Sequence, residues 1–106
     1  MNPEDEKIIT LARSSRARSG AAQGAAVRDE TGRTYAATEV NLPSLRLSAL
    51  QVAVAMAVSS GARSLEAAAL VAGDAPAEAD EAAVRDLNPG APILVAGPDG
   101  VLRETR

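Results

Sequence analysis

Apolar and polar positions alternate in blocks along this chain, and the first block predicts a helix. Pro3–Glu6 combines a proline with three carboxylates, which is typical of a helix N-terminus. Ile8–Ala12 then supplies a partly apolar face. We therefore predict a helix from Pro3 to about Ser15, followed by a loop over residues 16–20.

The second block predicts a β-hairpin over residues 22–40. Gly24–Arg28 is short and apolar, and Asp29–Gly32 has the composition of a turn. Arg33–Val40 continues as a second strand. Asn41–Ser44 then interrupts the pattern.

The third block predicts a central helix without charges, from about Leu45 to Ser60. No charged residue stands between Arg46 and Arg63, and Gly61 is suited to end the helix. A helix that is apolar or small all round is expected to be buried on most sides. One sheet covers only one face, so another element or another subunit should cover the rest.

The remaining blocks predict a strand, a helix and one or two further strands. Leu65–Ala72 is interpreted as a buried strand, Glu78–Leu87 as a short amphipathic helix, and Pro92–Ala96 as the clearest strand. Val101–Arg103 is a possible last strand. The order α-β-β-α-β-α-β predicts an α/β fold with three layers.

Composition indicates one domain, residues 1–106, with a thin core. The chain contains 24 alanines, and Tyr35 is its only aromatic residue. Because alanine buries little area, subunit association is one way to compensate. We therefore expect a homo-oligomer.

Charge and missing residue types exclude several classes of function. The net charge of −3 argues against nucleic-acid binding, which requires a basic surface. The one basic cluster, Arg13, Arg16 and Arg18, is either a solvated helix face or a site for an anion or acidic partner. The chain has no cysteine and no histidine, which removes thiolate chemistry, the commonest general base and the commonest metal ligand. No signal peptide or membrane span is visible, so we expect a cytoplasmic location and no membrane partner.

Four local strings resemble the cytidine deaminase family, in order and across nearly the whole chain. They are Gln23–Ala26, Thr31–Tyr35, Ala57–Gly61 and Pro92–Gly100. The resemblance implies a three-layer α-β-α fold with a mixed sheet of about five strands. It also implies a hydrolase in which zinc, held by three protein ligands, activates a water and a glutamate moves protons.

The residues that would carry this chemistry are replaced. The resemblance places the first zinc ligand at Ser48, the glutamate at Leu50, and the other two ligands at Ala77 and Asp80. Alanine cannot ligate a metal, and leucine has no proton to transfer. We therefore expect no zinc, no other cofactor and no catalytic residue.

Two remaining groups of residues could still form a site. Glu39 and Asn41 stand where the family holds the nucleoside sugar, and Ala21 replaces the phenylalanine that packs on the base. They are interpreted either as ligand contacts or as solvated residues.

The cluster Glu78, Asp80 and Glu81 is either a site for a hard cation or the acidic first turn of a helix. Ser48 lacks an activating partner in its motif, which favours a packing role over that of a nucleophile.

The sequence favours a catalytically inactive protein that acts through oligomerisation, as a dimer or tetramer, or through a protein partner. Leu50, Val54 and Val58 are the predicted interface residues, packing against the sheet and across a subunit boundary. The alternative is a nucleoside- or metabolite-binding module with a metal-free pocket. A residual cytidine deaminase-type hydrolase is a third reading.

Overall fold

Three helices and seven strands make up the computed structural model, which describes residues 1–106. In chain order they are α1 (Pro3–Ser19), β1 (Gln23–Asp29), β2 (Thr34–Thr38), β3 (Val40–Leu42), β4 (Leu45–Leu47), α2 (Ala49–Ser59), β5 (Leu65–Ala72), α3 (Glu78–Leu87), β6 (Ile93–Ala96) and β7 (Leu102–Thr105).

Five strands form one mixed sheet in the order β2-β1-β5-β6-β7. Strands β5 and β6 run parallel, and the other neighbours are antiparallel. The short strands β3 and β4 pair only with each other. The predicted α/β class and mixed five-stranded sheet are confirmed.

The helices lie on both faces of the sheet, which gives the three predicted layers. On one face Ile8, Ile9 and Ala12 of α1 pack against inward residues such as Ala69 and Val71 of β5. On the other face α2 and α3 share a second cluster with the sheet. Alternate residues of each central strand face opposite layers. The central strands are therefore buried on both sides.

The predicted central helix begins four residues too early. Leu45–Leu47 is strand β4, which pairs with Val40–Leu42, and the turn between them contains Pro43 and Ser44. Leu45-Arg46-Leu47 has the apolar–polar alternation of a strand, and this local pairing outweighs helix propensity. Helix α2 starts only at Ala49.

The first helix is longer than predicted. The small polar stretch from Arg16 onward was assigned to a loop, but α1 continues to Ser19. Gly20 ends it with a φ of 67°, a left-handed conformation that glycine adopts without steric cost. None of the three helices is long and apolar enough to cross a membrane.

Candidate functional site

A cavity of about 660 Å³ opens at the end of the sheet where β1 begins and β5 ends. Its wall is completed by residues 39–41, by the end of β4 and by Ser48 at the start of α2. A cavity of this size falls within the range of small-molecule sites, about 300–1,000 Å³. We therefore take it as the candidate site.

Ser48 lines this cavity and is the N-cap of α2. Its Oγ accepts a hydrogen bond from the Gln51 backbone N–H (3.1 Å), and Gln51 Oε1 accepts one from the Ser48 N–H (3.0 Å). Gln23 Oε1 accepts the N–H of Ala49 (3.1 Å). These bonds satisfy donors that the first helical turn leaves free. Ser48 therefore has a structural role here, and no base bonds its hydroxyl.

The three predicted interface residues differ in accessibility. Leu50 is fully buried within the chain, Val54 is 8% exposed and Val58 is 50% exposed. Leu50 packs in the cluster between α2, α3 and the sheet. Within this chain, Val58 is the one of the three with appreciable surface left for a partner.

Ala77 and Asp80 lie at the start of α3 and do not line the cavity. Asp80 is buried, and its Oδ2 accepts the N–H of Ala77 (3.1 Å). Its neighbours separate, since Glu78 is exposed and Glu81 pairs with Arg106 (2.8 Å). The acidic cluster therefore forms the first helical turn.

The residues at the family's metal positions do not fit zinc. Ala77 has no donor atom, the Ser48 hydroxyl serves the helix cap, and the Asp80 carboxylate is bonded to backbone. No group of three or more histidine, cysteine, aspartate or glutamate side chains converges anywhere in the chain. Zinc needs three protein ligands in a catalytic site, and this chain does not offer them.

Glu39 and Asn41 both lie in the cavity wall, whereas Ala21 does not. The Glu39 carboxylate accepts the backbone N–H groups of Ala22 (3.0 Å) and Gln23 (2.9 Å). Burial raises the pKa of Glu39, but these bonds and the nearby Arg16 outweigh it, so the pKa lies below its ordinary value. Glu39 is thus held ionised at neutral pH.

Two arginines in the wall were not singled out as cavity residues by sequence reasoning. Arg16 belongs to the basic cluster of α1, and its Nε donates to the Ala22 carbonyl (3.0 Å). Arg46 reaches the wall because β4 is a strand. The alternation Leu45-Arg46-Leu47 was the signal that could have found it. The cavity wall therefore carries four ionisable side chains, with Asp74 as its other carboxylate.

This arrangement can bind a polar molecule, and neither its arginines nor Glu39 is suited to proton transfer near neutral pH. The ionisable groups in the wall are two carboxylates and two guanidiniums. A general acid or base works best with a pKa near the operating pH. Arginine stays protonated, and Glu39 is held below its ordinary pKa. The geometry of the cavity wall therefore favours binding of a polar ligand over acid–base catalysis.

One protein family matches nearly the whole of this chain. A family model described as "Cytidine deaminase-like" matches residues 1–100. Curated protein sequences give no match.

Solved structures share the fold at low sequence identity. A cytidine deaminase from Burkholderia pseudomallei superimposes with a TM-score of 0.84 at 22% identity, covering 100% of this chain and 92% of that one. One from Mycobacterium leprae gives 0.76 at 20% identity, covering 98% and 94%. A mutant cytidine deaminase from Mycobacterium tuberculosis gives 0.73 at 21% identity, covering 89% and 85%.

Proposed function

This chain belongs to the cytidine deaminase-like family, and we propose that it acts without deamination, through association of identical copies. A protein partner on the same surface is the other form of this proposal. Ser48 caps a helix, Leu50 fills the core, and Ala77 offers no metal ligand. These roles support a structural function for the residues at the positions where the resemblance places the catalytic groups.

The observation that carries the proposal is the uncharged outer face of α2. Val52, Ala55, Met56 and Ser59 follow the spacing of one helix face and are partly or fully exposed, with Val58 beside them. None of the helix residues is charged. A helix on the surface of a monomer normally carries charged residues outside. This face favours burial against a second copy.

The hairpin of β3 and β4 carries further exposed apolar residues. Leu42 and Leu45 are about half exposed at its tip, and β4 packs against α2. Two copies related by a two-fold axis would bury the same patch on each other, as most homodimers do. The alanine-rich core supports this reading because association adds buried area that the single chain lacks.

Sedimentation velocity tests the proposal with the double variant Met56→Glu/Val58→Glu. Charges on both exposed residues should convert the assembly to a 10.8 kDa monomer while the circular dichroism stays that of the parent. Thr10→Glu is the matched control, since Thr10 is exposed on α1 across the sheet and should leave the assembly intact. A parent that sediments as a monomer at all concentrations would contradict self-association.

A second candidate function rests on the cavity. Glu39, Asn41 and Ser48 converge in its wall, and they support a nucleoside- or metabolite-binding module. Calorimetry with a nucleoside and metabolite panel tests this role, and no heat with any member would exclude it. Metal analysis and a deamination assay on the same sample test the remaining reading, a residual hydrolase. The expected results are no stoichiometric zinc and no product.

A further inference from the structure

We propose that the cavity binds the phosphate of a small phosphorylated sugar, free or within a nucleotide, between Arg16 and Arg46. The inference rests on the second candidate function, because it specifies the ligand of that cavity. The cavity wall contains two arginines with unused hydrogen-bond donors.

The two arginines of the cavity wall form no ion pair. The four ion pairs of the chain involve only Arg28 and Arg106. Arg16 and Arg46, which both line the cavity, form none. The free N–H donors of two guanidiniums in one concave wall can bind the oxygens of an anion.

Arg16 is already held in position for this role. Its Nε donates to the Ala22 carbonyl (3.0 Å), while its two terminal nitrogens bond no protein atom. Its Cβ lies close to the backbone of Gly24, since a Cβ built there would be 2.9 Å away. The guanidinium therefore presents free donors from a side chain whose base and Nε are fixed, which lowers the entropy cost of binding.

Arg46 faces the same cavity from β4. Its side chain is exposed and makes no hydrogen bond in the protein. Two carboxylates share the wall: Glu39 accepts two backbone N–H groups and interacts with the charge of Arg16, and Asp74 is exposed without a bonded partner. Neither forms an ion pair with the two arginines, whose terminal N–H groups stay free. The two arginines thus remain available to a ligand.

A ligand that joins a phosphate group to a hydroxyl-bearing sugar fits the cavity wall better than a simple carboxylate ligand does. Guanidinium groups match phosphate oxygens with paired hydrogen bonds. The volume of about 660 Å³ exceeds what an inorganic anion needs. Asn41 and the carboxylate of Asp74 can bond hydroxyl groups. A phosphorylated sugar satisfies both requirements.

Calorimetry with four probes tests the proposal: ribose 5-phosphate, cytidine 5′-monophosphate, cytidine and inorganic phosphate. The two phosphorylated sugars should bind at least about tenfold tighter than cytidine, which lacks charge-assisted bonds, and than inorganic phosphate, which lacks the hydroxyl contacts. Their affinity should fall with added salt. Arg16→Gln and Arg46→Gln should each weaken it about tenfold, while Arg18→Gln, exposed on the same helix outside the cavity, should not.

Each other outcome overturns the proposal in a recognisable way. If cytidine and its monophosphate bound equally well, the cavity would still be a ligand site, but the proposed phosphate contact would be disproved. Inorganic phosphate as tight as ribose 5-phosphate would remove the role of the sugar. No binding of any probe would reject the cavity function as well. If Arg18→Gln weakened binding as much as Arg16→Gln, the affinity would come from general surface charge and not from a contact in the cavity.

Discussion

At the scale of single residues, Asp29 organises the turn between β1 and β2. Its Oδ1 accepts the backbone N–H groups of Thr31 (2.8 Å) and Arg33 (3.0 Å) and the Thr31 hydroxyl (2.7 Å), and its Oδ2 accepts the Tyr35 hydroxyl (2.8 Å). Burial alone would raise the pKa of Asp29, but the hydrogen bonds from these four donors outweigh burial and lower the pKa to about 2. The bond to Asp29 in turn raises the pKa of Tyr35.

The lowered pKa gives Asp29 a defined pH dependence. The unfolded carboxyl titrates near 3.8 and the folded one near 2, so the unfolded state binds more protons in between. Its stabilising contribution is complete above pH 3.8 and is lost as the pH falls through about 2. Asp29→Asn should lower the free energy of unfolding at neutral pH and flatten its fall in acid.

Urea unfolding from neutral to acid pH measures both effects. Asp86→Asn is the control, since Asp86 is exposed on α3 and makes no hydrogen bond. It should follow the parent curve. A parallel fall in acid for Asp29→Asn and the parent would contradict the assignment.

At the scale of elements, the close approach of α1 to β1 depends on Gly24. A Cβ built on Gly24 would lie 2.0 Å from the Ala12 carbonyl oxygen and 2.9 Å from Arg16 Cβ. Both contacts are shorter than real Cβ atoms tolerate. Helix α1 can therefore pack on the sheet, and Arg16 can reach the cavity, only because residue 24 has no side chain.

Gly24→Ala should push α1 away from β1 and destabilise the fold by about 1–3 kcal/mol, the usual range for overpacking. It should also weaken any binding that uses Arg16. Gly90→Ala is the matched control, because a Cβ there would meet only Asn88 Oδ1, at 3.6 Å. Chemical denaturation compares the two variants. Equal stability of both would mean that the helix shifts without cost.

The sequence predicted those elements best whose ends are set by local chemistry. Strand β5 and helix α3 have the predicted bounds, Leu65–Ala72 and Glu78–Leu87, since a glycine follows β5 and an acidic turn opens α3. The hairpin Val40–Leu47 was missed because its pairing depends on contacts between two three-residue strands. The cavity residue Arg46 was lost with it, whereas Glu39 and Asn41 were named from the resemblance.

At the scale of the whole molecule, the layers were predictable and the surface was not. Block order along the chain identified helices and strands, and helices between parallel strands must lie on the sheet faces. The accessibility of α2 depends on which of its sides meets the sheet and α3. Leu50 turned out fully buried and Val58 half exposed, which residue type alone does not distinguish.

Association should also couple the stability of the fold to protein concentration. If copies unfold as they dissociate, each tenfold increase in concentration favours the native dimer by about 1.4 kcal/mol. For a dimer of this size the Tm should then rise by roughly 3–5 °C per tenfold. The Met56→Glu/Val58→Glu variant should show a Tm that does not change with concentration. Scanning calorimetry over a hundredfold range tests this, with Thr10→Glu behaving as the parent. A concentration-independent Tm in the parent, whose apolar α2 face is intact, would mean that this face contributes nothing to the stability of the native state.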